Sequence, residues 1–332
     1  MVMVDSSKSV VKERVSFIDK ACGIAILLVV YGHIWFPETI DMKWYFMSHK
    51  FIYKFHMPLF ICLSGYLAFL STSNKSITSK SDYLKFQKKK LHKFLPAYLV
   101  ASIGAILLDI FYKHLPRNEI IQSIYNMFFV PASGSAVFVW YLYVLFGFYL
   151  VTPFLVRLSN GSQYVLLLVG FLFTNASFSH LFSADLFCKY FFFFLCGGVI
   201  YNHKEQFFST LIKNGNWLLI LTVCLLSVDV YIDMIIPYQL LSISVIMSTF
   251  YLSILNWPSF LSKIFVALGV SSFAIYILNG PVLDLYYLFF KSILKSPIDG
   301  IFVFSSIPMA LTISILIRIV FNRIIPPKFY SL

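Results

Sequence analysis

The sequence predicts an all-α, polytopic membrane protein with about ten transmembrane helices and no soluble domain. Composition is the first reason. Of 332 residues, 59% are hydrophobic and only 12% charged, against roughly a quarter charged in a soluble domain. Spacing is the second: apolar runs of the roughly 20 residues that cross a bilayer recur along the chain. The third is the placement of charge. The net charge is +12, yet the basic residues cluster between apolar runs, as the positive-inside rule distributes them. That pattern argues against a nucleic-acid surface. The 37 Phe and 21 Tyr suit a lipid-facing exterior with interfacial aromatic belts.

Taken in order, the expected spans are 17–36, 51–70, 94–112, 137–156, 163–180, 184–201, 216–235, 238–255, 264–290 and 299–321, within one membrane-embedded domain covering 1–332. The first follows a short basic N-terminus with Lys8, Lys12 and Arg14. No small-residue cleavage site follows, so it reads as a retained signal anchor. The second contains Pro58, expected to kink it, and the small pair Ser64–Gly65, which permits close helix approach. Between the second and third spans lies a lysine-rich stretch, from Lys75 to Lys93. Non-apolar stretches at 71–93 and 113–126 are the longest, and the polar Asn175–Asp185 segment separates the fifth and sixth spans. With alternating spans, the lysine-rich stretch sets the bias of Lys and Arg, which favours both termini in the cytoplasm. Inverted repeats of the transporter kind are not evident.

The polar groups inside apolar runs carry the functional information. Phe17–Trp35 holds Asp19 at its start and His33 near its end. On a helix these lie about 21 Å apart, near opposite faces of the membrane. An ionisable intramembrane group marks a functional site by default, although a histidine at a helix end is also cheaply solvated by headgroups. Lys54 and His56 fall on the same side as His33. Asp229 and Asp233 share a helix face, and their position predicts exposure near the outer surface. The run Lys88, Lys89, Lys90 and Lys93 reads as a topology anchor on anionic lipid, or as a phosphate-binding cluster. Five cysteines, Cys22, Cys62, Cys188, Cys196 and Cys224, all sit in apolar segments without CxxC spacing. They read as small buried hydrophobes, with neither a disulfide framework nor a metal site.

Four stretches resemble the acyltransferase-3 family of integral membrane acyltransferases, in its fucose 4-O-acetylase-like and O-antigen acetyltransferase branch. They are Asp19 to His33, the Met57-Pro58-Leu59-Phe60 to Ser64-Gly65-Tyr66 run, the basic stretch before Pro96, and Gly269 to Pro281. Phe194-Leu195-Cys196-Gly197 resembles a further Phe-x-x-Gly element. The resemblance implies acetyl-CoA as acyl-donor substrate, with no bound cofactor. The acceptor it implies is a sugar hydroxyl on a lipid-linked or exported glycan, such as O-antigen, capsule or exopolysaccharide. By it, His33 is the general base or a transient acyl carrier. Asp19 holds a nearby basic residue, Arg14 or Lys20. Ser64, Asn279 and Tyr276 bind or stabilise the oxyanion. Lys88, Lys89, Lys90 and Lys93 take the donor phosphates, with Trp140 and Tyr276 also on the donor side. The chain departs from the family at three positions: Cys22 where a basic residue is usual, Phe138 where histidine precedes Trp140, and Asn279 in place of a second histidine. Lys20 is the neighbouring cation available to cover position 22. Two other readings use the same residues: a glycan or small-anion transporter or flippase, and a degenerate family member without turnover.

Overall fold

The computed structural model describes all residues except 1–5, 38–39, 74–76, 78, 233–235 and 325–332. Among the described residues every regular element is helical, and eight helical segments are long and apolar enough to cross a membrane. The chain folds as two compact units, one made of residues up to Leu63 with Lys204–Ile324, the other of Ser64–His203.

The first unit opens with α1 (Ser6–His33), followed by the short α2 (Lys43–Ile52) and the start of α3 (His56–Ser73), within which the division falls. Pro58 lies in the first turn of α3. The apolar run Lys43–Ser73 is interrupted at the turn Tyr53–Phe55, just before Pro58, and the Lys54 carbonyl, which Pro58 has no N–H to meet, accepts from Ser242 Oγ at 2.9 Å. From the second unit's end the chain returns as α8 (Lys204–Tyr231), α9 (Tyr238–Ile254), α10 (Ser259–Val270), α11 (Ser272–Leu288) and α12 (Gly300–Ile324). The expected span 264–290 is thus two helices. Gly269, Ser271 and Ser272 hold helical geometry weakly, and the break falls at Ser271, whose hydroxyl accepts from Arg318 Nη1 at 2.7 Å.

Helix α1 packs on α10 with backbones in contact. A Cβ at Gly269 would run into the carbonyl of Asp19, and one at Gly23 into that of Phe265. Between apolar helices in lipid, such close approach is what association rests on. Gly269→Ala should therefore push the two helices apart and cost about 1–3 kcal/mol or more. A wild-type melting temperature in the purified variant would show that α10 gives way freely and would remove this account.

The second unit holds the rest of α3, then α4 (Lys80–Lys113), α5 (Arg117–Phe129), α6 (Trp140–Thr174) and α7 (Ala184–Asn202). At 34 residues α4 is about 51 Å long, more than the hydrocarbon thickness of about 30 Å. The lysine-rich stretch, read as loop from the sequence, is helical from Lys80 onward. Ser79 and Asp82 close a reciprocal capping box at its start. Helix α6 covers the fourth and fifth expected spans and changes direction at Ser162, whose φ of −135° is non-helical. Beyond that point Gly161–Thr174 is too short to cross by length, as are α9 and α10. Pro153 within α6 leaves the Tyr149 carbonyl without its helical donor, and Gln87 of α4 supplies one from Nε2 at 3.0 Å. The Ser64–Gly65 expectation holds: a Cβ at Gly65 would meet the carbonyl of Phe194 on α7. Gly198 faces the ring of Phe69 in the same way.

Candidate active site

His33 is the last residue of α1 and is half-buried. Its Nδ1 lies 2.6 Å from Oδ1 of Asn279, a fully buried residue on α11. The side-chain amide of Asn279 donates to the carbonyls of Ile275 at 2.9 Å and Tyr276 at 2.6 Å. Carbonyls only accept, so the amide nitrogen must face them and the amide oxygen must face His33. The imidazole therefore carries its proton on Nδ1, and Nε2 presents a lone pair. An intramembrane histidine is thereby held as a base in one tautomer by a neutral amide.

The end of α1 is itself fixed by α2. Its last carbonyls lack helical donors, and in apolar surroundings they need others. Tyr45 donates its hydroxyl to Ile34 O at 2.5 Å and to Tyr31 O at 3.3 Å. Gly32 O, one peptide before His33, accepts from His49 Nε2 at 2.9 Å and Tyr53 OH at 3.0 Å. The Tyr31 and Ser48 hydroxyls bond to each other. Tyr53 lies between two imidazoles, its ring centroid 4.3 Å from that of His49 and 4.7 Å from that of His56. His56 is buried and donates from Nδ1 to Ile52 O at 3.0 Å, which leaves its Nε2 as an acceptor too. The sequence reading missed His49 and Tyr53. The signal was the four-residue spacing of Tyr45, His49 and Tyr53, which lines them along one side.

Lys54 turns away from this cluster to form an ion pair with Asp229, 2.7 Å to Oδ2 and 2.9 Å to Oδ1. Asp229 is fully buried, which corrects the expectation of exposure. Its Oδ1 also accepts from Ile236 N at 3.0 Å. The expected neighbour Asp233 lies outside the described residues. Removing one partner of a buried pair strands a charge, so Asp229→Ala should cost about 3 kcal/mol or more. Lys54→Met combined with Asp229→Leu should recover most of that loss in a thermal melt. A single variant as stable as the wild type would mean the pair contributes nothing.

The remaining sequence-predicted residues fall as follows. Asp19 gives its backbone to the α1–α10 contact. Lys20 donates to Leu255 O at 3.3 Å and faces the Trp257 ring at 5.9 Å, while the side chain of Arg14 lies outside the described residues. Cys22 is buried. Tyr276 is buried with its ring 6.3 Å from that of Phe60, and its carbonyl orients Asn279. All of these belong to the first unit with His33.

Ser64, Lys88, Lys89, Lys90, Lys93 and Trp140 belong to the second unit. The Ser64 hydroxyl is 2.6 Å from that of Tyr141. Lys88 and Lys89 are exposed on α4. Lys90 sits 3.8 Å from the centroid of Tyr149, a cation–π arrangement, and Lys93 lies 5.7 Å from that of Phe94. Trp140 stacks on Tyr190 at 5.3 Å with planes 16° apart. Among the described residues, no group of three or more His, Cys, Asp or Glu side chains could hold a metal ion.

The profile described as "Acyltransferase domain", of the acyltransferase-3 type, matches residues 15–319. A candidate acetyltransferase, ORF330 of Acidianus two-tailed virus, is 25% identical over 284 residues, covering 77% of this chain and 79% of its own length. Nodulation protein NolL of Mesorhizobium japonicum is 43% identical over 63 residues, 18% of this chain and 17% of its own. NolL of Sinorhizobium fredii is 49% identical over 49 residues, 14% of this chain and 13% of its own. No solved structure matches the chain.

Proposed function

The chain belongs to the acyltransferase-3 family, and from that premise we propose that it is an O-acetyltransferase that moves acetyl from acetyl-CoA to a sugar hydroxyl of a cell-surface glycan. The observation that carries the reading is the His33–Asn279 pair. Its chemistry is that of a base poised for a hydroxyl proton. In the forward step Nε2 of His33 takes the proton of the acceptor hydroxyl while its oxygen attacks the thioester carbonyl. The C–S bond breaks, and the departing thiolate takes the proton back from Nε2–H as free thiol. The Asn279 amide oxygen holds Nδ1–H throughout and stabilises the imidazolium that forms between these two transfers. An acetyl-imidazole intermediate on the same Nε2 would need the same orientation.

Support for acetyl as the group comes from the name of the viral relative. Support for a glycan acceptor comes from the family branch the motifs resemble. Lys88 and Lys89, exposed on α4, are the lysines of the run best placed to meet donor phosphates from water. The lysine bias supports the cytoplasmic side for both termini, and the family branch the motifs resemble supports a bacterial inner membrane.

The test incubates membranes containing the protein with radiolabelled acetyl-CoA and host glycan, and counts label in the lipid-linked and polysaccharide fractions. Label in either fraction above membranes without the protein is expected. No transfer across several glycan backgrounds would overturn the acceptor assignment. Label released only as free acetate would point to a different acceptor class.

A further inference from the structure

We propose that the second unit carries a seat for the phosphate of an anionic phospholipid, between the start of α4 and the middle of α6. A groove of about 230 Å³ lies there. Lys80 stands on its α4 side and Arg157 on its α6 side. Both residues are exposed, and they lie at matching ends of their spans, Lys80 at the start of one and Arg157 near the end of the other. Between them the floor is apolar, made by Tyr83, Pro153 and Phe154.

Three observations select the ligand. The first is charge. Arg157 uses Nη2 on the Ile77 carbonyl at 2.6 Å, which fixes the guanidinium at the groove while four further N–H donors remain in its fork. The nearby acid, Asp82, is turned to the Ser79 hydroxyl and N–H in the capping box. The start of a 34-residue helix adds its own positive end. The second is shape. Tyr83 and Phe154 touch, with ring centroids 5.7 Å apart and planes at 53°, so no nucleobase can insert between them. The volume lies below the roughly 300–1,000 Å³ of pockets that enclose a drug-sized ligand, but a phosphodiester headgroup fits. The third is the rim. Leu84 on α4 and Leu150, Phe154 and Leu158 on α6 are exposed apolar side chains, a surface for acyl chains beside the charged seat. Basic pockets between membrane helices at the headgroup level recognise anionic lipids in this way.

The test uses the full chain, purified and reconstituted into vesicles of phosphatidylcholine alone or with phosphatidylglycerol. Retention of phosphatidylglycerol through delipidation is measured for the wild type and for Lys80→Gln, Arg157→Gln and the double variant. Lys85→Gln, an exposed lysine of the same helix outside the groove, serves as the charge control. Each groove substitution should weaken retention about fivefold and the double variant about thirtyfold. Lys85→Gln should change it little. Equal loss in Lys85→Gln would mean diffuse surface attraction and would overturn the seat, as would unchanged retention in the double variant. Equilibrium dialysis with radiolabelled acetyl-CoA runs in parallel. If the double variant lost acetyl-CoA and kept phosphatidylglycerol, the groove would belong to the donor nucleotide and the lipid assignment would fall.

Discussion

Alanine at position 33 should lower acyl transfer roughly a hundred- to ten-thousandfold, the range that a positioned general base supplies. The loss should fall on kcat. On the proposal that Lys88 and Lys89 meet the donor, KM for acetyl-CoA should move little. Alanine also strands the Asn279 amide oxygen in a fully buried position, at a cost of about 1–3 kcal/mol. A second substitution separates the two effects. Glutamine at position 33 keeps an N–H that can reach Asn279 Oδ1 but offers no basic nitrogen. His33→Gln should therefore melt close to the wild type and remain as inactive as His33→Ala. Transfer at wild-type rate by a folded His33→Gln would remove His33 as base and as acyl carrier together.

The architecture around this residue was legible in the sequence to the extent that hydropathy controls it. Apolar runs of membrane-crossing length became helices, because in lipid a backbone must satisfy its own hydrogen bonds. The misread elements are those where a local feature was settled by a distant one. Asp229 looked exposed because of its position near the predicted outer surface, and its partner Lys54 is 175 residues away. The break at Ser271 hides in an unbroken apolar run, and Arg318, 47 residues on, meets the buried hydroxyl there. Pro58 was expected to kink the middle of a span, and it lies in the first turn of α3, just after the interruption at Tyr53–Phe55. At the site, His33 and Asn279 were both identified singly. What sequence could not show is that they touch, since 246 residues separate them. Nor could it show that Asn279 is turned by Ile275 and Tyr276, which decides the imidazole tautomer.

That orientation yields the second large effect, and it concerns the chain's departure from its family at position 279. A side chain here must do two things at once: accept from His33 Nδ1–H and donate to the carbonyls of Ile275 or Tyr276. Asparagine does both without titrating. Leucine does neither. Asn279→Leu should release the His33 ring, leave Nδ1–H unpaired and reduce kcat about a hundredfold, the loss typical of a missing orienting partner. Aspartate accepts from His33 but turns a second oxygen toward two carbonyls, so repulsion opposes the fit and Asn279→Asp should fall between wild type and leucine. Histidine has one nitrogen that accepts and one N–H that donates, the same pair of functions in a larger ring. Asn279→His should therefore keep more activity than aspartate, while its extra volume in a fully buried position lowers the melting temperature. The decisive result is the order of kcat values at matched folded protein, asparagine and histidine above aspartate, and aspartate above leucine. If leucine retained wild-type kcat, His33 would be oriented by something other than Asn279. If all three variants lost activity in step with stability, position 279 would serve packing alone. A kcat order that departs from the order of melting temperatures is what identifies Asn279 as the positioning partner of the base.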